Sequence, residues 1–232
     1  MSIFAALNVC HDLAARTAAM NMAIDEVSLE TARVPSIRFY RWNRPALSFG
    51  YFGRFADVAH YLAERDLVRR WTGGGIVFHG NDLTYSIVIP ANHLVLGHSS
   101  ISLYEKIHGA LRDALIVTGE RAELSAVAGV AAAGAEINDR DYNAADCFGN
   151  LVRADVVLNG RKVAGAAQRR ARGGLLHQGS IQHVDLANGL AEEFAQALSP
   201  NCKIQKIDNS VLRRGQEIAQ QKYGTSAWLR KR

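Results

Sequence analysis

Cysteine is scarce in this chain: Cys10, Cys147 and Cys202 are its three thiols, an odd number with no CxxC spacing. That argues against a disulfide framework and a cysteine-rich zinc site, and it points to a reducing, cytoplasmic setting. His79, His177 and His183 are well separated and no HExxH occurs, so no metal centre is expected. Long apolar runs are missing too. No eighteen consecutive apolar residues occur, and the short apolar stretch near the N-terminus has no basic segment ahead of it, which speaks against a membrane span or an export signal. Proline is limited to four residues, none gathered into a linker, and no internal repeat is found. One domain over residues 1–232, without an accessory C-terminal domain, is the expectation.

What is present is ample apolar material and a basic balance. With 48% hydrophobic residues a continuous core can form. The formal net charge of +5 favours an acidic partner or an anionic ligand, an acidic carrier protein as readily as RNA. Met20, Ile24, Val27 and Thr31 recur at helical spacing in 18–31, with Asp25 and Glu26 turned away from that face. SIRFYRW at 36–42 alternates as a strand, and ALSFGYF follows it beyond the Arg44-Pro45 turn. LVRRW and LTYSIVI are further strands with hairpin-like punctuation between them, and 101–117 has the spacing of a second helix. The alanine- and glycine-rich stretch 121–146 reads as a loop or weakly held helix that could cover a site. Strands at 154–158, 162–169 and 175–183 follow, then helical patterns at 187–198 and 209–221. Meander strands mixed with helices give an α+β (mixed α/β) fold, a central mixed sheet flanked by helices.

Two segments carry chemistry. In RRWTGGGIVFHG, Arg70 and His79 flank Gly73, Gly74 and Gly75, whose backbone can approach a ligand closely and turn amide N–H groups toward an anion or a carbonyl oxygen. A glycine turn joining two strands is the bland reading. From Cys147 to Gln182 a thiol, an amine and a glycine-broken basic strand fall within one short span. Lys162 stands among small residues including Gly165, and strand alternation sets it beside Ala164 and Ala166. A strand lysine is ordinarily a solvated charge and an unpaired cysteine a small buried hydrophobe. Together they can do more: at a pKa of about 8.5 roughly 3% of a thiol is ionised at pH 7, and an ammonium that lowers it by about 1.5 units makes roughly half of it thiolate.

At these residues the chain resembles the biotin/lipoate protein ligase superfamily, in its lipoate-protein ligase and octanoyltransferase branch. The resemblance runs through NMAIDE, IRFYRWNRPALSFGYF, RRWTGGGIVFHGNDLTYS, GRKVAGAAQRR and LLHQGSI. It implies the mixed α/β catalytic domain of that superfamily, with a lipoyl or octanoyl chain in a tunnel beside the glycine loop. It sets Lys162 against the acyl carboxyl end, Arg70, Gly73, Gly74, Gly75 and His79 on the ligand loop, and Gly165 and His177 in the two later motifs. Cys147, in a CF context upstream of GRKVAG, resembles the nucleophile of cysteine-dependent octanoyltransferases. These move an octanoyl group from acyl carrier protein to a lysine of a lipoyl domain or glycine-cleavage H protein without a cofactor. CFGNLVRAD lacks the proline-serine pair usual after CF in that type, and Gly75 stands where those transferases often have arginine. An ATP-dependent lipoate-protein ligase, using ATP and Mg to form a lipoyl-adenylate, is therefore the alternative. His177 could orient a strand or the incoming amine. A third class, a basic nucleic-acid-binding module, would use RRARGG and the terminal LRKR, but no RNP, zinc-finger or helix-turn-helix pattern accompanies them.

Overall fold

The computed structural model describes residues 2–126 and 151–231. Its centre is an eight-stranded mixed sheet in the order β11-β1-β2-β6-β10-β9-β8-β7. The strands are β1 (Leu7–Arg16), β2 (Ser36–Trp42), β6 (Leu83–Pro90), β7 (Ala122–Leu124), β8 (Val156–Leu158), β9 (Arg161–Ala171), β10 (Gly174–Ile181) and β11 (Cys202–Ile204). β1 runs parallel to both β2 and β11, and the other pairs are antiparallel. A second sheet of three strands is ordered β4-β3-β5, from β3 (Ala46–Phe49), β4 (Asp66–Arg69) and β5 (Ile76–His79).

Helix α1 (Ala18–Thr31) starts where the Thr17 hydroxyl accepts from the Met20 amide, and α2 (Ser100–Val117) where Ser99 does the same for Ser102. α3 (Leu190–Leu198), α4 (Asn209–Ile218), a π turn over Ala219–Tyr223 and α5 (Ser226–Leu229) complete the chain. One face of the large sheet packs on α2 and α3 through Ile87, Ile181, Leu111, Ile107 and Phe194. The opposite face packs on α1, where Leu29 meets the cross-strand pair Val88 and Leu176, and on residues of the small sheet.

Several expectations are corrected. Asp25 and Glu26 do not face away from the core; both are buried, because α1 is enclosed by the large sheet on one side and by α4 and the π turn on another. Asp25 takes hydrogen bonds from Arg38, Tyr40, Ser86 and Gln178, and Glu26 from Lys222 and Tyr223. The strands of LVRRW and LTYSIVI form no hairpin: β4 pairs with β3, and Gly80-Asn81-Asp82 carries the chain from the small sheet to the large one. Within 121–146, Ala122–Leu124 is a strand paired with β8. Residues 127–150, and with them Cys147 and the remainder of that stretch, lie outside the described residues.

The chain past α4 returns to the small sheet through Arg69, whose guanidinium is buried, lies 4.7 Å from the Phe49 ring centre and has carbonyls as its hydrogen-bond partners. It donates to Tyr51, Gly53, Trp228, Leu229 and Lys231, at 2.7 to 3.1 Å. A planar fork of five N–H groups suits this arrangement as an ammonium would not.

Candidate active site

β9 opens with a bulge. Val156 faces Ala164 whereas Val157 faces Lys162, so one step on β8 spans two on β9. The bulge breaks the alternation that would set Lys162 beside Ala164 and Ala166. The side chain lies against Gly165 instead, where a Cβ would come within 2.5 Å of Lys162 Cε and 2.8 Å of its Nζ. Glycine at 165 is what lets the lysine occupy this place.

Lys162 is 5% exposed, and its Nζ sits 2.7 Å from Asp155 Oδ2. A buried ammonium needs such a partner. Asp155 is fixed in turn: the Tyr104 hydroxyl donates to Oδ1 at 2.6 Å and the Val152 amide to Oδ2 at 2.8 Å. The same hydroxyl accepts from the Ala166 amide at 3.1 Å, beyond the end of β8 where, among the described residues, β9 has no strand partner on that side. Burial, then the Asp155 charge, raise the Tyr104 phenol above its ordinary range, so it stays a donor.

The glycine loop is held by Arg70. Its Nη1 donates to Ser48 Oγ at 2.7 Å, and its Nη2 to the carbonyls of Gly73 at 3.1 Å and Gly75 at 2.8 Å. Of the three glycines Gly74 has the positive φ, 86°, that glycine adopts at little cost. Gly50 packs so closely on the Gly73 and Gly74 backbone that a Cβ there has no room.

His79 continues this network. Its Nδ1 lies 2.7 Å from Asp82 Oδ2 and its Nε2 2.7 Å from Ser48 Oγ, while Trp42 stacks on the ring at 4.1 Å. Burial alone would raise the Asp82 carboxyl. His79, the Thr84 hydroxyl and the Gly80 amide outweigh it and lower the pKa to about 2, so Asp82 is a carboxylate. The two ring nitrogens of His79 thus bridge the carboxylate and the Ser48 hydroxyl, and Ser48 accepts from Arg70.

These groups line a narrow, half-open cavity between the large sheet, α1 and the small sheet. Ser48, Arg70, Trp42 and His79 line one side, Gly165, Ala166, Gln178 and Ser180 another. Most of the polar atoms are turned on one another. Gln178 spans Asp25 and Thr72, and Ser180 donates to Asp82. The wall left to a ligand is mainly apolar. Such a lining suits an apolar chain with a polar end at Lys162.

Arg70, His79 and Gly165 thus line one cavity, Lys162 abuts it at Gly165, and Gly73, Gly74 and Gly75 are fastened to it through Arg70 and Gly50. His177 is elsewhere. It lies on the face of β10 that meets α2, with Nε2 3.3 Å from the Tyr85 hydroxyl and Nδ1 3.0 Å from Gln168 Nε2, and burial pushes its pKa well below the usual histidine range. Cys147 lies outside the described residues. Reading the sequence missed Asp155, Tyr104, Ser48 and Asp82. Asp155 precedes the VVLNGRK strand pair and Ser48 lies inside PALSFG, so both fall near segments already singled out, yet neither has a spacing that marks it. Among the described residues no group of three or more His, Cys, Asp or Glu side chains could hold a metal ion, and no helix is long and apolar enough to cross a membrane.

The sequence model of the lipoyl protein ligase A/B catalytic domain matches residues 17–220, from the cap of α1 to the π turn. The chain belongs to that family. Within the lipoyl protein ligase A/B family it is 35% identical over 178 residues to Octanoyltransferase LipM of Brevibacillus brevis, covering 72% of this chain and 62% of the relative. Against Octanoyltransferase LipM of Halalkalibacterium halodurans it is 33% identical over 214 residues, 85% of this chain and 76% of the relative. The match therefore spans less than two thirds of the Brevibacillus protein's length. A bi-partite lipoate protein ligase from Thermoplasma acidophilum superposes with a TM-score of 0.69 at 19% identity, over 97% of this chain and 96% of that one. That likeness establishes a shared fold.

Proposed function

We propose that this protein is an octanoyltransferase of protein lipoylation, taking an octanoyl group from the thioester of acyl carrier protein and passing it to a lysine of a lipoyl domain or glycine-cleavage H protein. The observation that carries this reading is the identity, a third or more, to curated relatives bearing the name Octanoyltransferase LipM. The apolar cavity, with the Lys162–Asp155 pair lying against its wall at Gly165, supports the same reading.

In the first step the Cys147 thiolate attacks the octanoyl carbonyl. The C–S bond to the carrier breaks, the carrier thiolate leaves and takes up a proton, and an octanoyl thioester on Cys147 results. Lys162 stabilises the thiolate and polarises the carbonyl oxygen, and backbone amides near Gly73 to Gly75 or near Lys162 stabilise the oxyanion. In the second step the neutral ε-amine of the acceptor attacks that thioester. The amide forms, the amine's proton departs, and the Cys147 thiolate is regenerated. The acyl bond energy is conserved throughout, so no nucleotide is consumed. Arg70, Gly73, Gly74, Gly75 and His79 shape the acyl wall in this scheme. The third glycine, which distinguishes a ligase-like loop, contributes its carbonyl to Arg70, and Gly75 lacks the positive φ that would demand glycine.

Incubation with octanoyl-acyl carrier protein and no nucleotide, followed by intact mass measurement, tests the reading. An octanoyl adduct removable by hydroxylamine on the wild type, and none on Cys147→Ala, is expected, with Lys162→Ala inactive. Acylation of a lipoyl domain that demands free lipoate plus ATP and survives Cys147→Ala would establish a ligase instead.

A further inference from the structure

Two basic segments that acyl transfer leaves unused, RRARGG at 169–174 and the LRK of 229–231, meet in space. Their meeting point is the turn after β3 that carries Tyr51 and Phe52. The Arg169 guanidinium carbon lies 5.2 Å from the Tyr51 ring centre and 4.4 Å from that of Trp71. Lys231 Nζ lies 5.0 Å from the rings of Tyr51 and Trp228, and Lys222 Nζ 4.4 Å from Trp228. Arg230 covers Phe55 at 4.3 Å. Cations and rings alternate, so each charge is held at the surface by an aromatic face. Arg170, on the opposite face of its strand, is occupied by the Leu96 and His98 carbonyls.

The surface keeps its charge. Glu26 neutralises Lys222 and Asp57 neutralises Arg54, whereas Arg169, Arg230 and Lys231 have no carboxylate at ion-pair distance among the described residues. The Lys231 ammonium beside it holds the Tyr51 phenol below its ordinary range, with Arg169 and Lys222 adding to the effect. Beside Tyr51, with ring centres 5.1 Å apart, Phe52 is 86% exposed, an apolar group of a size seldom left in water without a use.

This surface adjoins the cavity. The Tyr51 amide donates to the Thr72 carbonyl at 2.8 Å, Arg169 Nη1 to the Trp71 carbonyl at 3.1 Å, and the Thr72 hydroxyl to Gln178 of the cavity wall at 2.8 Å. Gly50, next to Tyr51, packs on the glycine loop.

We propose that the Phe52, Arg169, Arg230 and Lys231 surface docks the acidic carrier protein that delivers the acyl thioester, its cations meeting carrier carboxylates and the phosphodiester of the prosthetic arm. This rests on the octanoyltransferase reading and names where its donor binds. The donor is the partner that fits, because the acceptor offers a lysine ammonium, which a cationic rim repels, while the donor brings anionic groups to the cavity mouth. Phe52 supplies the apolar contact beside these cations.

The test uses the full chain with Lys231→Glu and, separately, Phe52→Ser. The Lys231 side chain is exposed and its backbone carbonyl still accepts from Arg69, so the fold is kept. Affinity for fluorescently labelled octanoyl-acyl carrier protein, read by anisotropy, falls about tenfold or more in each variant and declines steeply with salt in the wild type. KM for the carrier-bound donor rises to match, while kcat, and KM for octanoyl-pantetheine, which has neither carrier nor phosphate, stay within about twofold. Unchanged carrier affinity overturns the proposal. So does a loss of affinity for an isolated lipoyl domain or a short single-stranded RNA with carrier binding intact. Charge-sensitive carrier binding in a protein that transfers nothing leaves the surface standing and defeats the octanoyltransferase reading.

Discussion

The two faces of the large sheet are buried by different chemistry. Against α2 and α3 the contacts are mainly aliphatic and aromatic, with Leu111, Ile107, Ile87 and Phe194 fully enclosed and the polar groups confined to a cluster of Tyr104, His108, His177 and Gln168. Against α1 and the small sheet, the buried groups include Asp25, Arg38, Asp82, His79, Arg70 and Gln178, joined by hydrogen bonds of 2.7 to 3.1 Å. Apolar contact is tolerant of small shifts in position, whereas a connected polar network fixes each group by its partners. The first face supplies stability, and the second spends interior volume on a cavity with a set wall.

That contrast can be broken most severely at Asp155. Asp155→Ala leaves the Lys162 ammonium and the Tyr104 hydroxyl buried without their acceptor, and should destabilise by about 3–5 kcal/mol while abolishing acyl transfer; urea unfolding and the mass assay check both. Leu111→Ala, on the apolar face, should cost about 2–5 kcal/mol of stability yet leave transfer per folded molecule unchanged below the melting range. An activity loss there as large as at Asp155 would erase the distinction between the faces.

His108 is a titratable exception on the apolar side, with Nδ1 donating to the Ala154 carbonyl and burial holding its pKa at about 4 against a reference of 6.5. The unfolded chain therefore takes up this proton first, and stability falls as pH drops from about 6.5 to about 4, by about 3 kcal/mol for a shift of that size. Asp82, on the cavity side, acts lower: its stabilisation is present above the reference 3.8 and is lost as pH falls toward about 2. His177, also buried with its pKa well below the usual range, adds to the same decline, so His108→Asn should lessen the upper part and keep the lower part, as followed by unfolding at a series of pH values. The smallest stability effect is expected for Gly165→Ala, about 1 kcal/mol, since the atoms its Cβ meets first are the end of a flexible side chain. Transfer should nonetheless drop more than tenfold as the ammonium is displaced; unimpaired transfer would show that the position of Lys162 beside Gly165 does not matter.

Much of the scaffold was legible along the chain. The spacing of Met20, Ile24 and Val27 predicts a helix over 18–31, and α1 has those bounds; SIRFYRW predicts a strand over 36–42, and β2 has those. β1, β5, β7 and β11 were not anticipated. β5 spans four residues after a glycine run and β11 three, too short to show a period, and β1 has an outer half of mixed exposure. Asp25 and Glu26 were misplaced because helical periodicity marks one apolar face, and α1 is enclosed on more than one.

The order of apolar and polar residues, the glycines at 74 and 165 and the motif strings determined the family, the main elements and the segments that meet at the cavity, because these are local properties of backbone freedom and side-chain type. Only the tertiary structure decided that Lys162 turns toward Gly165 across a bulge, that Asp155 and Tyr104 hold it, that His79 is tied to Ser48 and Asp82, and that His177 faces away. Those outcomes depend on strand register and on groups distant in sequence competing for the same buried hydrogen bonds, which no pattern along the chain records.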